Sequence, residues 1–180
     1  MIRKRSSADL VFAVFPSARG FGYAVFEGPM SLVDWGVKGV RSIQKNAESL
    51  KKIREVFAFY RPDVVVLENC QERGSRRAKR IQTLINLITA HATEERIATA
   101  SFSRAEVRVC FSSTGSTTKR RIAESIAREF PELEPRLPPV RKIWMSEDSR
   151  MNIFDAAALG MTYFHTGSRI VIRGILKYHR

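Results

Sequence analysis

Two acidic residues stand where a carboxylate is unusual. Glu68 ends the apolar run 64–67, which predicts a strand buried on both faces. Asp155 lies in 153–164, a segment so apolar that it predicts a buried helix. A buried carboxylate is costly unless it pairs with a cation or binds a metal. If both meet at the carboxyl edge of a sheet, they could hold Mg²⁺, an ion that assists phosphodiester cleavage. An internal salt bridge to an arginine is the alternative for Asp155.

The basic residues indicate which class of molecule the protein binds. The chain has 31 Lys and Arg against 18 Asp and Glu, a formal net charge of +13, which favours nucleic acid. Two basic clusters lie at predicted helix starts. In the first, positive charge opposes the helix dipole unless a phosphate is near. In the second, three cations follow the small-residue loop 112–118, whose hydroxyls and backbone amides suit a phosphate. Solvated helix starts are the alternative. The predicted nucleic-acid-binding residues of these clusters are Arg73, Arg76, Arg77, Arg80, Lys119, Arg120 and Arg121. Arg19, in the turn after the first strand, is predicted to contact a phosphate too, with shaping of that turn as the alternative.

The first half of the chain predicts the strands that position Glu68. Apolar stretches at 10–15, 23–27 and 31–37 indicate an antiparallel meander of three strands. A helix capped by Asn46 then runs to Tyr60. Because a strand, a helix and another strand form a crossover, the strand ending in Glu68 should lie parallel to the first.

The second half alternates helices with one further strand. Periodicity predicts a helix over 76–94, a fifth strand over 97–102 and a short helix opened by a capping box at 103–106. Another helix follows the small-residue loop 112–118 and ends near 130. The last helix is expected to begin near Ser146, with Glu147 and Asp148 in its first turn, and to end near His165.

Length, composition and cysteine count limit the class of protein. A chain of 180 residues with 44% hydrophobic residues predicts a single domain, with a core at about 9–166 and a basic tail at 167–180. No apolar run approaches a membrane span, and no basic amphipathic helix suggests membrane binding. The two cysteines make neither a disulfide framework nor a zinc site. We therefore expect reduced thiols and a cytoplasmic protein.

The order of elements and three motifs resemble a known family. Segment 15–25 is similar to the first-strand signature of RuvC-type Holliday junction resolvases, 65–68 to their second motif and 152–159 to their last. The likeness spans about 10–164. It implies an α/β, ribonuclease H-like fold, with a mixed five-stranded sheet flanked by helices. It also implies a Mg²⁺-dependent junction endonuclease, with Mn²⁺ as a possible substitute, that acts on branched DNA as a homodimer.

The departures from that family concern the metal ligands. Phe15 stands where the family has its first catalytic Asp, and Asn152 stands where it has a further acid or His. Only Glu68 and Asp155 match, and Asn152 offers a weaker, neutral oxygen. Three functions therefore stay open: a nuclease with a reduced acidic site, a binding module for branched DNA or RNA that has lost catalysis, and a related nuclease for structured RNA.

Overall fold

The computed structural model describes residues 9–71 and 77–166. The five strands are β1 (Val11–Ser17), β2 (Gly20–Gly28), β3 (Ser31–Gly39), β4 (Val64–Glu68) and β5 (Ala98–Phe102). The helices are α1 (Lys45–Tyr60), α2 (Lys79–Glu94), α3 (Arg104–Ser112), α4 (Lys119–Glu129) and α5 (Met151–His165), with a 3₁₀ helix at Pro131–Arg136. No helix within these ranges is long and apolar enough to cross a membrane.

The strands form one mixed sheet in the order β3-β2-β1-β4-β5. β1, β2 and β3 are joined as an antiparallel meander, whereas β4 lies parallel to both β1 and β5. Val11 pairs with Val64 in the parallel β1–β4 ladder, and Glu68 pairs with Phe102 in the β4–β5 ladder. This topology confirms the predicted mixed five-stranded α/β fold and the predicted crossover.

Helices cover both faces of the sheet. α1 and α2 pack on one face, and α3, α4 and α5 pack on the other. Side chains along β4 alternate between the two layers, with Val65 and Leu67 toward α1 and α2 and Val64 and Val66 toward α5. The same alternation directs Glu68 to the α5 face, at the carboxyl edge of the central strands.

Two glycines let α5 lie directly on the sheet. A Cβ on Gly22 would be 2.2 Å from the backbone oxygen of Asn152, and a Cβ on Gly160 would be 2.4 Å from the ring of Phe26. Gly22 lies in β2 opposite Phe15 in β1. Its missing side chain therefore sets how closely the start of α5 approaches the strand that carries Phe15.

A methyl group at Gly22 should separate these elements. We expect Gly22→Ala to destabilise the fold by about 2 kcal/mol, because the overlapping atom belongs to the backbone of a packed helix. Gly39→Ala is the matched control, since a Cβ there meets nothing nearer than 4.0 Å. Urea unfolding of both variants tests this, and equal stabilities would contradict the close approach of α5.

Several predicted boundaries are corrected. α5 begins at Met151 and not near Ser146, because Glu147 and Asp148 lie before the helix. Asn46 does not cap α1, which begins at Lys45 after Gln44. The helix predicted from residue 76 begins at Lys79. Arg73 and Arg76, together with the predicted basic tail at 167–180, lie outside the described residues.

Candidate functional site

Glu68 and Asp155 line the same cleft. Its volume is about 250 Å³, and it opens where β4 and β5 end against α3, α4 and α5. Phe102, Phe154 and Leu159 contribute apolar surface to its walls. Charged side chains of both signs also line it: Glu68, Glu147, Asp155, Arg104, Arg108 and Lys119. Glu68 and Asp155 therefore lie in one cleft at the sheet edge, and their joint role as metal ligands stays a prediction.

Glu68 is held by two arginines. The residue is 4% exposed, and Arg77 Nε donates to its Oε2 at 2.5 Å while Arg104 Nε donates to its Oε1 at 3.0 Å. The Arg77 side chain is largely buried, whereas that of Arg104 is 65% exposed. Both carboxylate oxygens are thus engaged by cations, which offsets the cost of removing this charge from water.

The position of Arg104 follows from the local sequence. Ser103 Oγ accepts from the backbone N–H of Glu106, and the Glu106 carboxylate accepts from the backbone N–H of Ser103. This capping box, predicted from the sequence, fixes the start of α3 directly after β5. Since β5 lies beside β4, the first residue of α3 falls next to Glu68.

Asp155 pairs with Lys119, the first residue of α4. Lys119 Nζ lies 2.8 Å from Asp155 Oδ2 and 2.7 Å from Glu147 Oε1. Burial raises the pKa of Asp155 to about 6, and the nearby Lys119 charge opposes that rise. The internal salt bridge considered for Asp155 is therefore present, but its partner is a lysine and not an arginine.

Phe15 lies between the two ion pairs. Its ring is buried, with Arg77 Cζ 4.3 Å and Lys119 Nζ 5.6 Å from the ring centroid. Both distances fit cation–π contacts. The two cations that contact the ring also pair with the carboxylates, Arg77 with Glu68 and Lys119 with Asp155. We call the five side chains Phe15, Glu68, Arg77, Lys119 and Asp155 the charge network.

These residues do not fit a preformed metal centre. Within 9–71 and 77–166 there is no group of three or more His, Cys, Asp and Glu side chains that could hold a metal ion. A divalent cation in the cleft would have to displace Arg77, Arg104 and Lys119 from the carboxylates. Asn152, predicted as a weak ligand, is buried against Gly22 and is not among the cleft-lining residues that the structure describes.

The remaining predicted phosphate-binding residues fall into two groups. Arg80 binds Asn46 Oδ1 and the backbone oxygen of Ser17, both at 2.8 Å, so it connects α2 to α1 and β1. Arg120 bonds to Glu124 and to the backbone oxygen of Pro138. Arg19 and Arg121 are exposed. Their predicted role in binding nucleic acid stays a prediction.

Sequence reasoning missed three charged residues of the cleft. Arg104 and Arg108 lie on α3, and Glu147 lies on the segment before α5. A signal for Arg104 was available in the sequence. The capping box follows directly after β5, the neighbour of β4, so the first residue of the helix lies at the same sheet edge as Glu68. Glu147 carried no such signal, since its pairing with Lys119 joins segments distant in sequence.

The strand order and the helices on both faces define an α/β fold with a mixed five-stranded sheet, of the ribonuclease H-like kind. Neither a scan against protein-family models nor a search of curated proteins found a match. Solved structures of RuvC-type resolvases do match, which confirms the predicted fold. At identities of 13–16% these likenesses establish the fold alone.

Three of these structures are informative. Thermus thermophilus RuvC is 16% identical, with 87% of this chain and 93% of that chain covered and a TM-score of 0.61. T. thermophilus RuvC in complex with Holliday junction substrate is 15% identical, with 88% and 94% covered and a TM-score of 0.62. The yeast mitochondrial Holliday junction resolvase Ydc2 is 13% identical, with 88% and 80% covered and a TM-score of 0.57.

Proposed function

We propose that this protein binds branched DNA at the cleft edge and does so without metal-dependent cutting. The observation that carries the proposal is the charge network, in which cations already occupy both carboxylates around Phe15. The net charge of +13 supports a nucleic-acid partner. A branched substrate is supported by the fold that the chain shares with RuvC, which has been solved with a Holliday junction.

The rim of the cleft is suited to phosphate. Arg104 is mostly exposed and uses its Nε to hold Glu68. A guanidinium carries five N–H donors, so Arg104 can keep that bond and donate to a phosphate oxygen as well. Arg108 lies on the same helix and lines the same cleft. In this proposal Glu68 orients Arg104 for phosphate binding, with no role as a metal ligand.

A second candidate is a metal-dependent junction nuclease. The convergence of Glu68 and Asp155 on one cleft favours it. It would require bound phosphates to draw Arg77, Arg104 and Lys119 away from the two carboxylates. Either candidate is compatible with structured RNA as the substrate. Either is also compatible with the homodimer that the family resemblance implies, and experiments decide both points.

Binding in chelator tests the first candidate. Anisotropy titrations should compare a labelled four-way DNA junction with a linear duplex of the same arm sequences, in EDTA and over a range of salt. We expect the junction to bind at least about tenfold more tightly, with affinity falling steeply as salt rises because phosphate contacts release counterions.

Matched variants locate the surface. Arg104→Ala with Arg108→Ala should weaken junction binding several-fold, whereas Arg54→Ala, which removes an exposed charge from α1 on the opposite face, should not. Equal affinity for junction and duplex would contradict the branched substrate. If Arg54→Ala weakened junction binding as much as the Arg104/Arg108 variant does, the cleft edge would not be the binding surface.

A further inference from the structure

The segment between the 3₁₀ helix and α5 presents apolar side chains to solvent. Ile143 is fully exposed, Trp144 is 80% exposed and Val140 is 75% exposed. Arg141 and Lys142 lie among them and are exposed too. We call residues 140–145 the tip segment. Apolar side chains that are exposed together mark interaction sites, whereas singly scattered ones need no explanation.

The segment is held at both ends by consecutive residues of α4. An Arg120 guanidinium nitrogen donates to the backbone oxygen of Pro138, before the tip. Lys119 Nζ binds Glu147, after the tip, at 2.7 Å. Within the tip, the Met145 N–H donates to the Lys142 backbone oxygen at 3.0 Å and closes a turn. The tip is therefore presented from a fixed base.

Its position links it to the cleft. Glu147 lines the cleft, and its partner Lys119 belongs to the charge network. A ligand that reaches the cleft edge therefore lies close to the base of the tip. Lys119 and Arg120 hold the tip in place, which gives a structural reason for two of the basic residues at the start of α4.

The chemistry of the tip favours nucleobases. Trp144 is the largest exposed aromatic there, and Lys142 Nζ lies 5.5 Å from its ring centroid. An aromatic face stacks on any unpaired base, and neighbouring cations contact the backbone that carries it. A second copy of this chain is a poorer occupant, because tip-to-tip contact would oppose the cations of two strongly basic molecules.

We propose that Trp144 stacks on an unpaired base at the branch point, while Arg141 and Lys142 contact the flanking phosphates. This inference rests on the proposed function of binding branched DNA. Stacking would give the protein a means of selecting branched over continuous duplex, because a base pair at a branch point opens at lower cost than a pair inside a continuous duplex.

The test compares two exposed aromatic residues on opposite faces. Trp144→Ala should lower junction affinity about tenfold and leave linear-duplex affinity unchanged, since a stacked base contributes on that scale. Phe59→Ala, a similarly exposed aromatic on α1, should change neither. In a Trp35→Phe background, where Trp144 is the only tryptophan, the junction should quench tryptophan fluorescence and the duplex should not.

The outcomes separate this inference from the function on which it rests. In one outcome the wild type binds the junction tightly while Trp144→Ala binds it equally well and tryptophan fluorescence is not quenched. That result would overturn the stacking and leave the proposed function standing. Absence of junction binding by the wild type would overturn both. A dimer that Trp144→Ala converts to a monomer, with unchanged DNA affinity per protomer, would show that the tip contacts a second copy and would overturn base stacking.

Discussion

Replacing Asp155 by Asn is expected to stabilise the fold by about 3 kcal/mol at pH 8. Asp155 lies at the wall of the cleft, and its burial raises its pKa to about 6. Asparagine has nearly the same shape and carries no charge to desolvate. Lys119 loses one partner but keeps Glu147 and remains partly exposed, so the substitution leaves no buried unpaired charge.

The gain should depend on pH in a defined direction. In the unfolded chain an Asp ionises near pH 4, whereas in the folded protein the pKa of Asp155 is about 6. Between these values the folded state binds more protons, so stability conferred by the protonated group is lost as pH rises from about 4 to 6. Variant and wild type differ only at position 155, so the pH dependence of the difference in stability comes from Asp155. The difference between variant and wild type should vanish below about pH 4 and be complete above about pH 7.

Urea unfolding of both proteins at several pH values measures this difference. Glu147→Gln is the control, because Glu147 pairs with the same lysine but is partly exposed, and its loss should change stability by no more than about 1 kcal/mol. An Asp155→Asn variant that is less stable than the wild type at pH 8, or a difference that is the same at every pH, would contradict the desolvation of Asp155.

Placing an acid at position 15 is expected to create a metal site. Continuing the β1–β4 register places residue 15 beside Glu68. The double variant Phe15→Asp with Lys119→Gln adds a third carboxylate and removes the cation that occupies Asp155. Three carboxylates close together can hold a divalent cation, which then competes only with Arg77 and Arg104 for Glu68. Mn²⁺ should therefore bind at least about tenfold more tightly than to the wild type and raise the melting temperature.

Calorimetric titration with Mn²⁺ measures this gain, and circular dichroism checks that the variant folds. Lys119→Gln alone is the matched control and should bind little metal. Adding Asn152→Asp should give no further gain, because Asn152 is buried against Gly22 and is not among the described residues of the cleft. Wild-type protein that already binds Mn²⁺ as well as the double variant would contradict the charge network.

The sequence predicted the sheet because its strands are short apolar runs with clear breaks between them. β4 is four apolar residues ending in Glu68, and the helix before it requires a parallel crossover. The order of these elements also placed Glu68 and Asp155 at one edge. Local pattern was sufficient for these features, since each depends on burial of whole elements.

The features that local pattern could not predict depend on pairs distant in sequence. Ser146, Glu147 and Asp148 match a helix start, but α5 begins at Met151 while Glu147 binds Lys119. The same holds for Phe15, whose ring contacts Arg77 from the segment before α2 and Lys119 from the start of α4. The sequence singled out Phe15 at the end of the first strand, but it gave no sign of the two cations that contact its ring.

Metal-dependent cutting of a four-way junction is the measurement that bears most directly on the proposed function. Labelled junction arms should be incubated with excess wild-type protein in Mg²⁺, in Mn²⁺ and in EDTA, beside Glu68→Ala and Asp155→Ala. We predict tight junction binding in all three conditions and no cut strands in any of them. Cleavage that requires metal and is lost in both variants would contradict the proposal and establish a nuclease that works with two carboxylates.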